Sequence, residues 1–171
     1  MYLIDTPILI ELRAARAEGV DARLVAWAAA VPRERLFVSA VSLVEVEGAA
    51  MRARADRTIG AAWRDWIDGR LVPAFEGHIL PVDAAVARRR GTLTIADTRD
   101  ALIAATAIEH GLALVTRNRS AYKGARVRLF DPSDRGSDAI PQQEAGPIGA
   151  EDWRTVGRNG PGWLKTLFIR G

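Results

Sequence analysis

Three carboxylates fall where they can act on one ligand. Asp5 closes the apolar run Tyr2-Leu3-Ile4, Glu45 lies shortly after the run Leu36-Phe37-Val38, and Asp100 opens a helical stretch that precedes the run Leu112 to Val115. Short runs of this kind, followed by helix-compatible segments, read as parallel strands joined by crossover helices. Open parallel sheets bind ligands at the carboxyl ends of their strands, and all three acids are expected at that edge. An oxygen-only donor set, with neither cysteine nor a histidine pair, suits Mg²⁺ or Mn²⁺. Such a cation supports phosphodiester hydrolysis by activating a water and neutralising charge on the phosphorus-centred transition state. Each acid also has a structural reading. Asp5 can cap a helix, Asp100 can serve as a first-turn acid favoured by the helix dipole, Glu47 rivals Glu45, and Asp97 rivals Asp100. Spacing alone leaves these pairs open.

The elements that must carry the acids are legible in outline. Residues Ile8 to Arg16, Asp21 to Ala30, Leu43 to Asp56 and Ile59 to Arg70 read as helices, punctuated by Gly19, Pro32 and Gly60. The segment Phe75 to Asp83 is a loop into a short extended piece, after which Asp83, and Asp97 or Thr98, can cap two further helices. The second of these runs to His110, stops at Gly111, and places Leu102, Ile103, Thr106 and Ala107 at helical spacing. Arg126 to Asp131 alternates as a final strand. His78 and His110 are expected to be structural, and Trp63 and Trp66 to pack in the core or against a second copy.

Composition narrows the class further. A chain of 171 residues with 49% hydrophobic and 26% charged residues can bury one sizeable core and one active site. With no cysteine, a disulfide framework, a thiolate zinc site and a cysteine nucleophile are all excluded. The start, MYLIDTPILIELR, lacks a basic region, and no apolar run nears the ~20 residues that cross a bilayer. A cytoplasmic protein without a membrane partner is expected. Its 24 bases exceed its 21 acids by 3, and all but Lys123 and Lys165 are arginine. Arginine suits phosphate contacts, though genome composition enriches it too. Arg117, Arg119 and Lys123 lie beside the proposed site and are candidate contacts to a nucleic-acid backbone, while Arg126 and Arg128 also fit a solvated strand face. After Pro132 the composition turns glycine-rich. Two units are therefore expected, a domain over residues 1–132 and a linker with an apolar C-terminal extension over 133–171.

Five stretches occur in a telling order: Tyr2-Leu3-Ile4-Asp5-Thr6, Ser39 to Glu47, Phe75 to Asp83, Asp100-Ala101-Leu102-Ile103-Ala104-Ala105-Thr106-Ala107, and Gly111 to Asn118 with its Thr116-Arg117-Asn118. In these the chain resembles the PIN-domain ribonucleases of the VapC/FitB-like toxin group from bacterial toxin–antitoxin systems, over roughly residues 1–132. The resemblance implies a PIN-like α/β/α sandwich with a central parallel sheet, to which the glycine-rich C-terminal extension is added. It implies Mg²⁺- or Mn²⁺-dependent cleavage of single-stranded RNA, a homodimer, and neutralisation by a cognate VapB-like antitoxin that inserts a peptide into the site. Carried over by position, Asp5, Glu45 and Asp100 are the metal-binding catalytic acids, with Thr116 and Asn118 supporting them. The resemblance selects Asp100 over Asp97, because the family's aspartate directly precedes the Ala-Leu-Ile-Ala-Ala-Thr-Ala helix. Two positions depart from the pattern: Pro7 stands in place of an asparagine and Ala121 in place of a fourth acid. They motivate an alternative, a catalytically impaired PIN domain acting as a protein- or nucleic-acid-binding module. A phosphatase-like hydrolase using the same cation site is a third reading.

Overall fold

Strand β1 (Tyr2–Ile4) occupies the centre of a five-stranded sheet in the computed structural model, which describes residues 1–14 and 20–134. The other strands are β2 (Leu36–Ser39), β3 (Ile79–Leu80), β4 (Ala113–Val115) and β5 (Leu129–Phe130). Their order is β3-β2-β1-β4-β5, and every pairing is parallel. The helices are α1 (Thr6–Arg13), α2 (Ala22–Ala30), α3 (Ala40–Arg52), α4 (Arg57–Trp66), α5 (Val72–Ala74), α6 (Ala84–Arg90) and α7 (Thr98–Glu109). A π-helical turn, Ile67–Leu71, joins α4 to α5.

Alternation along the strands divides the core in two. Ile4, Leu36, Val38 and Val115 face one cluster, filled by Ile8, Leu9 and Leu12 of α1, Leu24 and Trp27 of α2, Val46 of α3 and Trp66 of α4. Leu3 and Leu114 face the other, filled by Ala101, Ile103, Ala104 and Ala107 of α7 and by Tyr122. With α6 packed on α7, helices cover both faces of the sheet, as parallel strands with apolar residues on both sides require. This is the expected α/β/α sandwich.

Several boundaries differ from the sequence expectation, and capping explains most of them. Helix α3 starts at Ala40 rather than Leu43 because the Ser39 hydroxyl accepts the Val41 N–H at 3.2 Å. It ends at Arg52 because Asp56, expected as its last residue, instead caps α4 by accepting from Thr58 and Ile59. Helix α1 starts at Thr6, with Asp5 as its cap and Pro7 in its first turn, where the missing N–H has no partner to lose. The final strand keeps only Leu129–Phe130 of the expected Arg126 to Asp131. Both Asp83 and Asp97 cap helices, and α7 ends at Glu109, one residue short of the expected His110, with Gly111 beyond it at a φ of 64° that only glycine adopts freely. No helix among the described residues is long and apolar enough to cross a membrane. From residue 135 on, the expected linker and apolar extension lie outside the described residues, as do residues 15–19.

Candidate metal centre

Sheet register builds the centre around Asp5. Ile4 pairs with Val115, the Asp5 N–H continues the ladder to the Val115 carbonyl at 3.1 Å, and the next residues, Asp5 and Thr116, emerge side by side at the carboxyl edge. The Thr116 hydroxyl donates to Asp5 Oδ2 at 2.7 Å. Oδ1 accepts the Thr6 N–H at 2.9 Å and the Tyr122 hydroxyl at 2.9 Å. Asp5, Thr116 and Tyr122 are all buried. Burial holds the Asp5 carboxyl above its usual range, against the pull of these three donors, and the charge of Glu45 pushes it in the same direction as burial. Burial and the neighbouring Asp5 charge push the Tyr122 phenol strongly up, so it stays a proton donor.

Glu45 and Asp100 approach from two different helices. Glu45 lies on α3, and its Oε2 accepts the Thr6 hydroxyl at 2.5 Å, so one residue, Thr6, serves Asp5 through its backbone and Glu45 through its side chain. Asp100 sits in the first turn of α7, where Asp97 caps the helix by accepting from the N–H groups of Arg99 and Asp100 at 2.8 and 3.1 Å. Burial, followed by the charges of Asp97, Asp5 and Glu45, raises the Asp100 carboxyl above its usual range. The fold thus brings Asp5, Glu45 and Asp100 within each other's electrostatic reach. Their rivals have other occupations: Glu47 pairs with Arg64 of α4, and Asp97 is the α7 cap.

The remaining candidates are placed less uniformly. Asn118 Oδ1 accepts the Ser120 hydroxyl at 2.8 Å and the Ala121 N–H at 3.3 Å, while its own N–H reaches Thr116 Oγ1 at 3.1 Å. Asn118 therefore shapes the 3₁₀ turn Arg119–Tyr122 that aims Tyr122 at Asp5. Ala121 packs against the Leu3 cluster. Arg117 is committed to Glu11 at 2.6 Å and to the Ser133 hydroxyl at 2.9 Å, with Asp21 at 3.4 Å. Arg119 lies 3.3 Å from Asp134, and Lys123 is exposed on the same turn. Arg126 and Arg128 line a groove of about 310 Å³ beside Gly111 and Leu112, at the opposite edge of the sheet. His78 lies against Phe37 with the two rings tilted and contacts Arg33, away from the acids.

The donor set fits a hard divalent cation. Asp5 Oδ2 takes one donor and keeps acceptor capacity, and three mutually repelling carboxylates gain from a positive charge between them. Among the described residues, no three or more His, Cys, Asp or Glu side chains stand grouped so that they could hold a metal ion. Sequence reasoning missed the roles of Tyr122 and Thr6. Thr6 stands inside the quoted Asp5-Thr6 motif, but nothing in spacing shows that the Tyr122 hydroxyl points inward.

A parallel α/β/α sandwich with acids at the carboxyl edge of its sheet, where open sheets bind their ligands, defines the class of protein. The family model described as PIN domain matches residues 2–127, and the chain belongs to the PIN domain family. It is 31% identical over 142 residues to the VapC ribonuclease Y4jK of Sinorhizobium fredii, covering 77% of this chain and 97% of that one. Toxin FitB of Neisseria gonorrhoeae is 30% identical over 142 residues, with 77% and 98% covered. The crystal structure of FitAcB from Neisseria gonorrhoeae superposes with a TM-score of 0.69 at 26% identity, covering 77% of this chain and 98% of that one.

Proposed function

We propose that this chain is a divalent-metal-dependent endoribonuclease toxin that cleaves single-stranded RNA. The observation that carries the reading is the buried Asp5, held by Thr116, Tyr122 and Thr6 and sharing its field with Glu45 and Asp100. Asp5, Glu45 and Asp100 would hold Mg²⁺ or Mn²⁺, which when bound supplies Lewis acidity to the phosphate and activates a water. The protein's own contribution is positional. Thr116 and Tyr122 fix the Asp5 rotamer, Thr6 fixes Glu45 so that it can orient the attacking water, and Asn118 holds the turn that delivers Tyr122. Arg119 and Lys123 are exposed beside this turn and suit contacts with the RNA backbone, whereas an Arg117 contact would require exchange with Glu11 and Ser133.

Likeness to a relative named Toxin FitB, and to a FitAcB assembly, supports a cognate VapB-like antitoxin as the partner and a homodimer as the assembly. The family match over residues 2–127 supports a PIN domain over residues 1–132, and 133–171 is read as an appended segment. Ala121, partly buried against the Leu3 cluster where the fourth acid is expected, favours a second reading in which the chain is an impaired nuclease that works by binding. Incubating purified, partner-free protein and Mg²⁺ or Mn²⁺ with single-stranded RNA, beside a small phosphate monoester, tests the proposal. Cation-dependent cutting of RNA with the ester intact is the expected result. Turnover of the ester with RNA intact points to a small-substrate hydrolase, and turnover of neither points to the binding module.

A further inference from the structure

Arg99 stands among the acids and is held there only loosely. Its guanidinium lies 3.6 Å from Glu45 Oε1 and 3.7 Å from Asp97 Oδ2, both beyond hydrogen-bond distance, and its side chain is 60% exposed. Long, exposed ion pairs contribute little stability, so they exchange at little cost. Arg117 makes the contrast, tied to Glu11 at 2.6 Å and to Ser133 at 2.9 Å. Two further contacts mean that departure of Arg99 would leave the site intact. The other oxygen of Glu45 stays on the Thr6 hydroxyl, and the Arg99 backbone N–H stays on the Asp97 cap at 2.8 Å, so only the side chain need move.

A polyanion approaching Asp5, Glu45, Asp97 and Asp100 meets four like charges, and a movable guanidinium in their midst offsets them. Its planar fork can take two oxygens of one phosphodiester. We propose that Arg99 is a substrate contact whose guanidinium leaves Glu45 for a backbone phosphate when RNA docks at the carboxylates. Without RNA, the same charge competes with the divalent cation for Glu45. This inference rests on the cation-dependent RNA reading above, and it predicts two effects of opposite sign from one substitution.

In the test, the full chain and its Arg99→Gln and Arg99→Lys variants are titrated with Mn²⁺ in the absence of RNA. They are then titrated, in Ca²⁺ and at several salt concentrations, with a short mixed-sequence single-stranded RNA read by fluorescence anisotropy. Arg99→Gln is expected to bind Mn²⁺ about threefold more tightly. The same variant is expected to bind RNA about tenfold more weakly, with the slope of log affinity against log salt shallower by about 0.7. Arg99→Lys, which keeps the charge, recovers part of the RNA affinity, and thermal melting of all three proteins coincides. If the parent binds Mn²⁺ while Arg99→Gln binds RNA with unchanged affinity and salt slope, Arg99 is only an ion-pair partner and the proposal is overturned. A parent that binds neither Mn²⁺ nor RNA overturns the functional reading, and the proposal falls with it.

Discussion

Asp5 and Asp100 titrate above their ordinary values because burial, and for Asp100 the charges of Asp97, Asp5 and Glu45, disfavour the ionised form. A carboxyl that holds its proton longer folded than unfolded costs stability as pH rises through that interval, and the whole cost is present above the folded value. In EDTA at pH 7, Asp100→Asn is therefore expected to stabilise the protein, by no more than about 1 kcal/mol since the group is partly solvated. The gain should vanish below the ordinary value of 3.8, where the carboxyl is protonated folded and unfolded alike, and urea unfolding at both pH values checks this. Tyr122 bears on the same site from the other side. Tyr122→Phe keeps the buried ring but takes one donor from Asp5 Oδ1, and denaturant unfolding should show a loss of about 1–2 kcal/mol. The carboxylates were legible in the sequence because their positions relative to strands and motifs are one-dimensional facts. The Tyr122–Asp5 bond was not, because it joins residues 117 positions apart through a 3₁₀ turn whose geometry Asn118 sets.

Helix starts decide where the acids stand. Asp97 closes the amino end of α7 and so orients the turn carrying Asp100, and Ser39 does the same for α3 and Glu45. Asp97→Ala is expected to cost about 1 kcal/mol in thermal or chemical unfolding, while Asp97→Ser, which can still cap, should recover most of it. If instead Asp97→Ala lost all cation binding at unchanged stability, Asp97 would be a ligand rather than a cap. The α7 exit depends on backbone freedom: Leu112 N–H reaches the Ala107 carbonyl at 2.8 Å across Gly111 in the left-handed region. Helix existence was readable from periodicity, but several boundaries slipped by two to four residues. Ser39 and Asp56 each belong as naturally to the preceding segment as to the following one, and only the three-dimensional cap bond assigns them.

At the level of the molecule, a sheet covered on both faces turns three short, nearly wholly apolar strands into a rigid platform, with Leu3 and Ile4 buried in opposite clusters. That architecture was legible because β-branched runs alternating with helical stretches admit few arrangements other than a parallel sheet. The last strand was legible in place but not in extent, since only Leu129–Phe130 pair while the alternation runs from Arg126 to Asp131. The domain reading predicts that a chain ending at Asp134, which retains the Arg117–Ser133 and Arg119–Asp134 contacts, unfolds in one cooperative transition in a calorimetric scan. The central claim, that Asp5, Glu45 and Asp100 form one cation-dependent RNA-cleaving centre, is tested most directly by one comparison. It sets the rate of single-stranded RNA cleavage by partner-free protein in saturating Mn²⁺ against that of the folded Asp5→Asn variant. The account predicts cutting by the parent that EDTA abolishes, and a loss of about 100-fold or more in the variant. Equal rates for parent and variant would contradict it.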